Sequence, residues 1–587
     1  MGSRFLPVAL TVAVLCGCVS SPVRDTASRG FFTVKLIAFN DFHGHVEVAD
    51  ALAAHVARLR SQAAHSVVVG AGDSIGASPL VSSLFHDEPA VEALNRIGLE
   101  FNSVGNHEFD KGAGELLRLQ NGGCKPGEAN SCQGAMVGTP VPFEGAKFRW
   151  LSANVIEQAS GKTLLPAYGI QSFDGVSVAF IGVTLKGTPT IVTPSGVRGL
   201  EFRDEAETVN RLVPELKARG IEAIVLLIHE GGVQRGSQPD VNGCEGRLTG
   251  SPLAEIVGRL DDAVDLVVSG HTHAAYNCRL PNAAGREIPV TSAGSFGRLL
   301  TEAELTIDRT SRDITAVAAT NRPVRRDDPA LPPGASVARI VDGYRSLAAR
   351  LAGRVVGAIA TDLPNTRVDA ACNMPAGQLI ADAMLAATEA ADAGGAQIAL
   401  MNGGGVRSPG FVHRSSAAGE GDGNVTFGEA FTVQPFGNDL VTLTLTAADL
   451  RGVLEEQFAG CGGQPAGNTR LMLASAGLHA TWDGARACGE RIRALTLRQE
   501  TIVEDGRLLE PARRYRVTVN NYMAEGGDGY ATFRKGTDRR VGPRDVDALA
   551  DYLARFKPPA AAYRLEDAQR LRRVGGSACP TGADTNP

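Results

Sequence analysis

Short apolar runs rich in β-branched residues punctuate the first half of the chain at Val34–Phe39, Ser66–Val69, Phe101–Val104, Ile224–Ile228 and Leu266–Val268. Longer stretches with helical spacing separate them, so the pattern predicts stacked βα units feeding a buried sheet. Phe148–Val155 and Val176–Thr184 predict two further strands, and Ile288–Val290 with Leu299–Ile307 predict strands that close the unit. The pattern then breaks. Pro, Arg and Asp accumulate over Arg322–Ala335, after which Ser336–Leu351 places Val337, Ile340, Val341, Tyr344 and Leu347 on one helical stripe. This predicts a linker and a bridging helix. A second unit starts near Val355, with a helix over Gly377–Ala391, a strand over Gln397–Met401 and an exposed loop at Gly419–Gly423. The expected division is 30–325, 326–353, 354–575 and a tail over 576–587.

Length agrees with that division, since 587 residues exceed what one core holds. A hydrophobic content of 43% with 21% charged residues is ordinary for a globular protein. The net charge of -6 provides no basic field, which disfavours a polymeric nucleic-acid substrate but not a single nucleotide. At the N-terminus Arg4 precedes the apolar run Phe5–Leu15, too short to span a bilayer and suited to a secretion signal. The run ends Leu15-Cys16-Gly17-Cys18, which resembles a bacterial lipobox with Cys18 as the lipidated residue. The expectation is a leader over 1–18 and an exported, periplasmic or cell-surface protein held by a lipid anchor. Eight cysteines follow Cys18, an even number that predicts disulfides in an oxidising compartment. Cys124 and Cys132 flank a loop that a disulfide would close, and Cys244 and Cys278 flank Gly270–His273. Cys461 with Cys488 is a further pairing to test, because spacing alone does not determine connectivity. No Cys-x-x-Cys pair is present, which argues against a thiolate zinc site.

The residues just beyond the predicted strands carry the chemistry: Asn40-Asp41-Phe42-His43, Gly72-Asp73, Gly105-Asn106-His107-Glu108, Ile228-His229 and Gly270-His271-Thr272-His273. Strand ends of one sheet open into one crevice, so these nitrogen and oxygen donors are expected to converge. Asp41 and His43 suit one ion, to which His273 turns back. Asn106, His229 and His271 suit a second ion, with Asp73 bridging the two. The donor set predicts two divalent metals, zinc, manganese, cobalt or iron rather than calcium. Such a pair clamps phosphoryl oxygens and holds a hydroxide for in-line attack. His107 is expected to face the reacting phosphate, with Asp110 fixing its tautomer, so that it stabilises the transition state and protonates the leaving oxygen.

The ordered set Asp41-x-His43, Gly72-Asp73, Gly105-Asn106-His107-Glu108, His229 and Gly270-His271-x-His273 resembles the calcineurin-like binuclear metallophosphoesterases. That resemblance implies an α/β fold, a four-layer α/β sandwich with metals between the strand ends, joined by a helix to a C-terminal α/β domain. The C-terminal half is similar to the nucleotide-binding domain of 5′-nucleotidases, through Asn402-Gly403-Gly404-Gly405-Val406-Arg407, Gln434-Pro435-Phe436-Gly437-Asn438 and Asn521-Tyr522-Met523-Ala524-Glu525-Gly526-Gly527-Asp528-Gly529-Tyr530. Asn402 and Arg407 offer fixed donors, Phe436 and Tyr522 would sandwich a base, and Asp528 would accept from ribose hydroxyls. Arg367 is carried as a further substrate arginine.

Three positions depart from the family pattern. Ala376-Gly377-Gln378-Leu379-Ile380 replaces a Gly-Asn-Leu-Ile helix start, Tyr522 stands where Phe is common, and His273 stands where an amide residue is frequent. The expected activity is metal-dependent hydrolysis of nucleoside 5′-phosphates, extending to UDP-sugars or other nucleotide diphosphates. The alternatives are a 2′,3′-cyclic nucleotide phosphodiesterase with 3′-nucleotidase activity, a sulfur-compound hydrolase of the same architecture, and a non-catalytic nucleotide-binding surface protein. A nucleotide is the expected small-molecule partner, with no nucleic-acid polymer and no protein partner implied. A hinge near Arg326–Gly353 is expected to bring phosphate to metal.

Overall fold

The computed structural model describes Gly2, residues 30–577 except 140, 237–238, 327–334, 416–418, 463 and 465–468, and Gly582–Ala583. The leader expected over 1–18, including Cys18, lies outside the described residues apart from Gly2.

Two six-stranded sheets form the first half. In one, Phe31–Phe39 runs parallel to Ser66–Gly70, which leads on through Phe101–Ser103 to Arg149–Leu151; Leu299–Asp308 and Asp313–Pro323 close its other side antiparallel. In the other, Val176–Thr184, Ala223–His229, Leu266–Ser269 and Glu287–Ala293 run parallel, flanked by antiparallel Tyr168–Phe173 and Ala275–Pro281. Period-two alternation decides the layers. Leu36, Ala38, Val67 and Val69 face Val178, Phe180, Val225 and Leu227 of the second sheet across one buried core. Their alternates Ile37, Phe39 and Val68 pack outward on the helices Ala49–Ser61 and Glu88–Ile97. Ile181 and Leu226 do the same on the other side against Glu205–Ala218 and Pro252–Val257. Helix, sheet, sheet, helix: the four layers follow from strands that are apolar on both faces.

Differences from the sequence reading are local. Phe148–Val155 is not one strand but two, Arg149–Leu151 and Val155–Glu157, which join different sheets. The Arg322–Ala335 stretch begins as the end of the Asp313–Pro323 strand. The bridging helix spans Ala335–Ala352 and buries Val337, Ile340, Val341 and Tyr344, but Ala348 rather than Leu347 completes its stripe. A position eleven beyond Val337 returns to the same face after about three 3.6-residue turns, whereas Leu347 falls to its edge and is 37% exposed.

In the second half Ile398–Met401 and Arg514–Asn520 run parallel inside one five-stranded sheet, with Pro375–Thr388 and Asp545–Leu553 packed on it. A second five-stranded sheet includes Leu478–Asp483 and Ile492–Leu497. Disulfides join Cys124 to Cys132, Cys244 to Cys278 and Cys461 to Cys488, and Cys372 is disulfide-bonded as well. Such crosslinks match an oxidising environment outside the cytoplasm. No helix among the described residues is long and apolar enough to cross a membrane.

Candidate active site

Asp41, Asp73, Asn106, His229 and His271 stand at or just past the C-terminal ends of parallel strands from both sheets, so two separate layers contribute to one cluster. Three donor groups result, Asp41 with His43 and His273, His43 with Asp73 and His107, and Asp73 with His229 and His271. Asp73 Oδ2 lies 3.0 Å from His229 Nε2 and 3.7 Å from His43 Nε2. His43 and His273 bring their Nε2 atoms to 3.1 Å, and Asn106 Oδ1 is 3.2 Å from His229 Nε2.

Holding these groups together imposes a backbone cost. Asp41, His43, Asp73, His271 and His273 all adopt positive φ, at 49°, 46°, 48°, 72° and 55°. Non-glycine residues there cost about 1–3 kcal/mol each and persist only where surroundings over-determine them. The restraints are visible. Asn40 donates to Asp41 Oδ2 (2.6 Å) and to the Gly294 carbonyl (2.6 Å), while the His271 amide donates to both Asp41 oxygens. Glu108 accepts from the amides of Asp73, Ser74 and Gly105, tying two ligand loops to one carboxylate. Asn102, a polar residue inside an apolar strand, accepts from the Gly72 amide and donates to Ser74 Oγ. Gly105 has no room for a side chain, since a Cβ there would stand 2.1 Å from Asp73 Oδ1. Glu108 and Asn102 have positioning roles that the sequence reading did not assign. Both carried a signal, Glu108 as the last residue of Gly105-Asn106-His107-Glu108 and Asn102 as a polar residue in a buried run.

Electrostatics test whether divalent ions fit. Burial, reinforced by neighbouring cations, holds His43 and His271 well below the ordinary imidazole value and His273 at about 3. These rings are therefore neutral. His43 Nδ1 lies 2.8 Å from the Gly76 carbonyl and His229 Nδ1 lies 2.7 Å from that of Ala71, contacts that fix a proton on Nδ1 and turn Nε2 toward the cluster. Burial works against ionising Asp73, yet His229, His107 and His43 around it hold its carboxyl well below the usual range. His229 is correspondingly pushed up by Asp73 against its own desolvation. The buried anion thus draws positive charge onto His229, and a cation beside Asp73 would replace that proton and free Nε2 to coordinate. His271 Nδ1 is buried without a hydrogen-bond partner among the described residues. Neutral imidazoles, carboxylates and an amide oxygen, with no thiolate, fit divalent metal ions, which the fold family implies.

His107 is set apart by its partner, with Nδ1 2.7 Å from Asp110 Oδ2. Burial pulls its pKa down, but Asp110 and Asp73 outweigh burial and raise it. Beside it opens a cavity of about 320 Å³ whose walls come from both halves, within the roughly 300–1,000 Å³ typical of small-molecule sites. Asn106, His107, Asp110 and His271 line one end, and Asn402, Arg407, Phe436, Tyr522 and Asp528 line the other. The Phe436 ring stacks on His107 at 5.9 Å and 17°, with the Arg407 guanidinium 5.5 Å from its centroid. Cross-half contacts hold this arrangement. Lys111 Nζ donates to the Phe436 carbonyl, the Ser195 amide donates to Glu525 Oε2 (3.0 Å), and Tyr522 Oη lies 3.5 Å from the Thr190 carbonyl.

Arg367 is placed apart from the other expected substrate residues. It is buried outside the cavity wall, and its guanidinium donates to the main-chain carbonyls of Cys372 (3.0 Å) and Leu471 (3.4 Å). The cavity arginine that the sequence reading missed is Arg470, whose Nη1 is 2.9 Å from Asp528 Oδ1. No local motif marks it, because the loop that carries it is recognised only by where it folds.

A calcineurin-like phosphoesterase family model matches residues 34–275, and a 5′-nucleotidase C-terminal domain model matches residues 355–535. The chain is 30% identical over 558 residues to "Endonuclease YhcR" of Bacillus subtilis strain 168, covering 92% of this chain and 41% of that protein, so it spans less than half of that relative. It is 25% identical to a probable 5′-nucleotidase of Treponema pallidum, covering 94% of this chain and 97% of the relative. A solved 5′-nucleotidase precursor from Thermus thermophilus aligns with a TM-score of 0.70 at 25% identity, covering 92% of this chain and 99% of the other.

Proposed function

We propose that this chain, which belongs to the calcineurin-like phosphoesterases carrying a 5′-nucleotidase C-terminal domain and is a phosphoric-ester hydrolase, releases phosphate from nucleoside 5′-monophosphates. The observation that carries the reading is the single cavity with His107, Asn106 and His271 at one end and Phe436, Tyr522 and Asp528 at the other. Its volume suits one nucleotide and not a polymer, and the absence of a basic field points the same way.

The residues divide the work. Phe436 and Tyr522 offer aromatic faces to a base, worth about 1–3 kcal/mol per stacked ring. Arg407, near enough to the cluster to depress His43 and His273, offers a cation to the phosphate. His107, oriented by Asp110, is placed to deliver a proton to the departing ribose oxygen. Divalent ions held by Asp41, His43, Asp73 and His273, and by Asp73, Asn106, His229 and His271, would supply Lewis acidity at the phosphoryl oxygens and acidify an attacking water. Nucleotide diphosphates and UDP-sugars fall within the proposal as further substrates.

The deciding assay is phosphate release across a panel of nucleotides after chelation and reloading with zinc, manganese or cobalt. The expected result is release from AMP or UMP that chelation abolishes and metal restores. A metal-loaded protein that releases phosphate only after opening 2′,3′-cyclic nucleotides would shift the assignment to the cyclic phosphodiesterase, and one inert on every nucleotide would end it. Outside the cytoplasm, Cys18 is proposed as the lipidated anchor. Expressed with its leader in a bacterium, a Cys18→Ser protein should partition into the aqueous phase of a detergent extraction that leaves the native protein in the detergent phase. Identical partitioning of the two would remove the anchor.

A further inference from the structure

Asp528 is the natural acceptor for the sugar hydroxyls of a bound nucleoside, yet its carboxylate is largely spent. Its Oδ1 accepts from Tyr522 Oη (2.8 Å) and Arg470 Nη1 (2.9 Å), and its Oδ2 accepts from Asn402 Nδ2 (2.8 Å). A carboxylate offers about four lone-pair sites, so roughly one remains. Both hydroxyls of a ribose cannot be satisfied there as donors.

Arg470 is in the opposite condition. A guanidinium carries about five N–H donors in a rigid fork. Among the described residues only Nη1 has a partner, and Nε is buried without one. The side chain is 17% exposed and lines the cavity beside Tyr522 and Asp528. Its main chain is held, with the amide donating to the Gln457 carbonyl (2.7 Å) and its own carbonyl accepting from Tyr530 Oη (2.6 Å). Unspent donors on a fixed arginine, next to a nearly saturated carboxylate, describe a subsite that seeks neutral oxygen acceptors. A phosphate on the sugar would meet the Asp528 charge as well as the arginine, whereas a hydroxyl oxygen meets only an accepting and a donating partner.

We propose that Arg470 is a specificity-determining residue of the sugar subsite, its guanidinium donors reading the 2′ and 3′ oxygens of a ribose, so that the substrate class is ribonucleoside rather than deoxyribonucleoside 5′-monophosphates. This rests on the nucleotidase reading above. A hydrogen bond to a charged group, once left unmade in a buried site, corresponds to about 10–100-fold in kcat/KM.

The test compares AMP with 2′-deoxy-AMP and 3′-deoxy-AMP in the metal-loaded enzyme and in Arg470→Met and Arg470→Lys. The native enzyme is expected to favour AMP at least about tenfold over one or both deoxy substrates, and Arg470→Met to compress that ratio to within about threefold. Arg470→Lys, with fewer donors and no fork, should fall between them. Because each ratio is taken within one protein, a general loss of activity cancels. Equal rates on all three substrates in the native enzyme, or an undiminished ratio in Arg470→Met, overturn the assignment. No release from any of the three overturns the nucleotidase reading, and this inference with it.

Discussion

Exchanging Asp73 for asparagine should lower kcat/KM for every phosphoester about 10³-fold or more. Asp73 belongs to two of the three donor groups, with Oδ2 3.0 Å from His229 Nε2 and Oδ1 accepting from the His107 amide at 2.9 Å. Asparagine conserves the shape but removes the anion around which His43, His107 and His229 are arranged. Metal-dependent stabilisation of a phosphoryl transition state is worth several kcal/mol, and each 1.36 kcal/mol is tenfold in rate, which sets the estimate. The direct measurement is metal content by elemental analysis beside the kinetics, and bound metal should fall with activity. An Asp73→Asn protein that keeps its full metal load and near-native turnover would remove the shared carboxylate from the proposal.

His107→Ala should leave metal content intact while lowering kcat on nucleotides about 10²–10⁴-fold, the range for loss of a positioned general acid. The two-sided test lies in the leaving group. p-Nitrophenolate departs without protonation, so the variant should lose much less on p-nitrophenyl phosphate than on AMP. Asp110→Asn should lose less than His107→Ala, with the same leaving-group bias, since the contact at 2.7 Å orients the ring rather than touching substrate. Because His107 also stands within one donor group with His43 and Asp73, the opposite result is informative. Loss of metal in His107→Ala, with equal losses on both substrates, would make it a ligand and not an acid.

Phe436 illustrates what tertiary structure adds to a motif. Gln434-Pro435-Phe436-Gly437-Asn438 pointed to an aromatic platform for a base, and both Phe436 and Tyr522 do line the cavity. The partner that Phe436 meets in the structure is His107, more than three hundred residues earlier in the chain, and its carbonyl is held by Lys111 from the same loop. Base platform and phosphate end are therefore coupled by direct contact across the two halves, which no property of either motif encodes. Asp528 shows the same limit. Its type and place were legible, but not its saturation by Tyr522, Arg470 and Asn402.

What the sequence determined by itself was periodic or adjacent in the chain. The near-continuous apolar runs Val34–Phe39 and Ile224–Ile228 specify strands apolar on both faces, hence sheets covered on both sides. Within each sheet the donors directly after those strands had to collect at the strand ends, because a strand's terminus cannot lie far from its neighbour's, whereas the packing of the two sheets brought Asp41, Asp73 and Asn106 to His229 and His271. The His107–Asp110 contact is likewise short-range, three residues within one turn. Arg407 was legible in its motif, but only tertiary structure sent Arg470 into the cavity and turned Arg367 to main-chain carbonyls. It also decided the left-handed backbone at Asp41, His43, Asp73, His271 and His273. The reason is physical. Spacing and propensity are energies of near neighbours, whereas a strained ligand loop or an inward-turned arginine is stabilised by partners hundreds of residues away, brought close by the order in which strands pair.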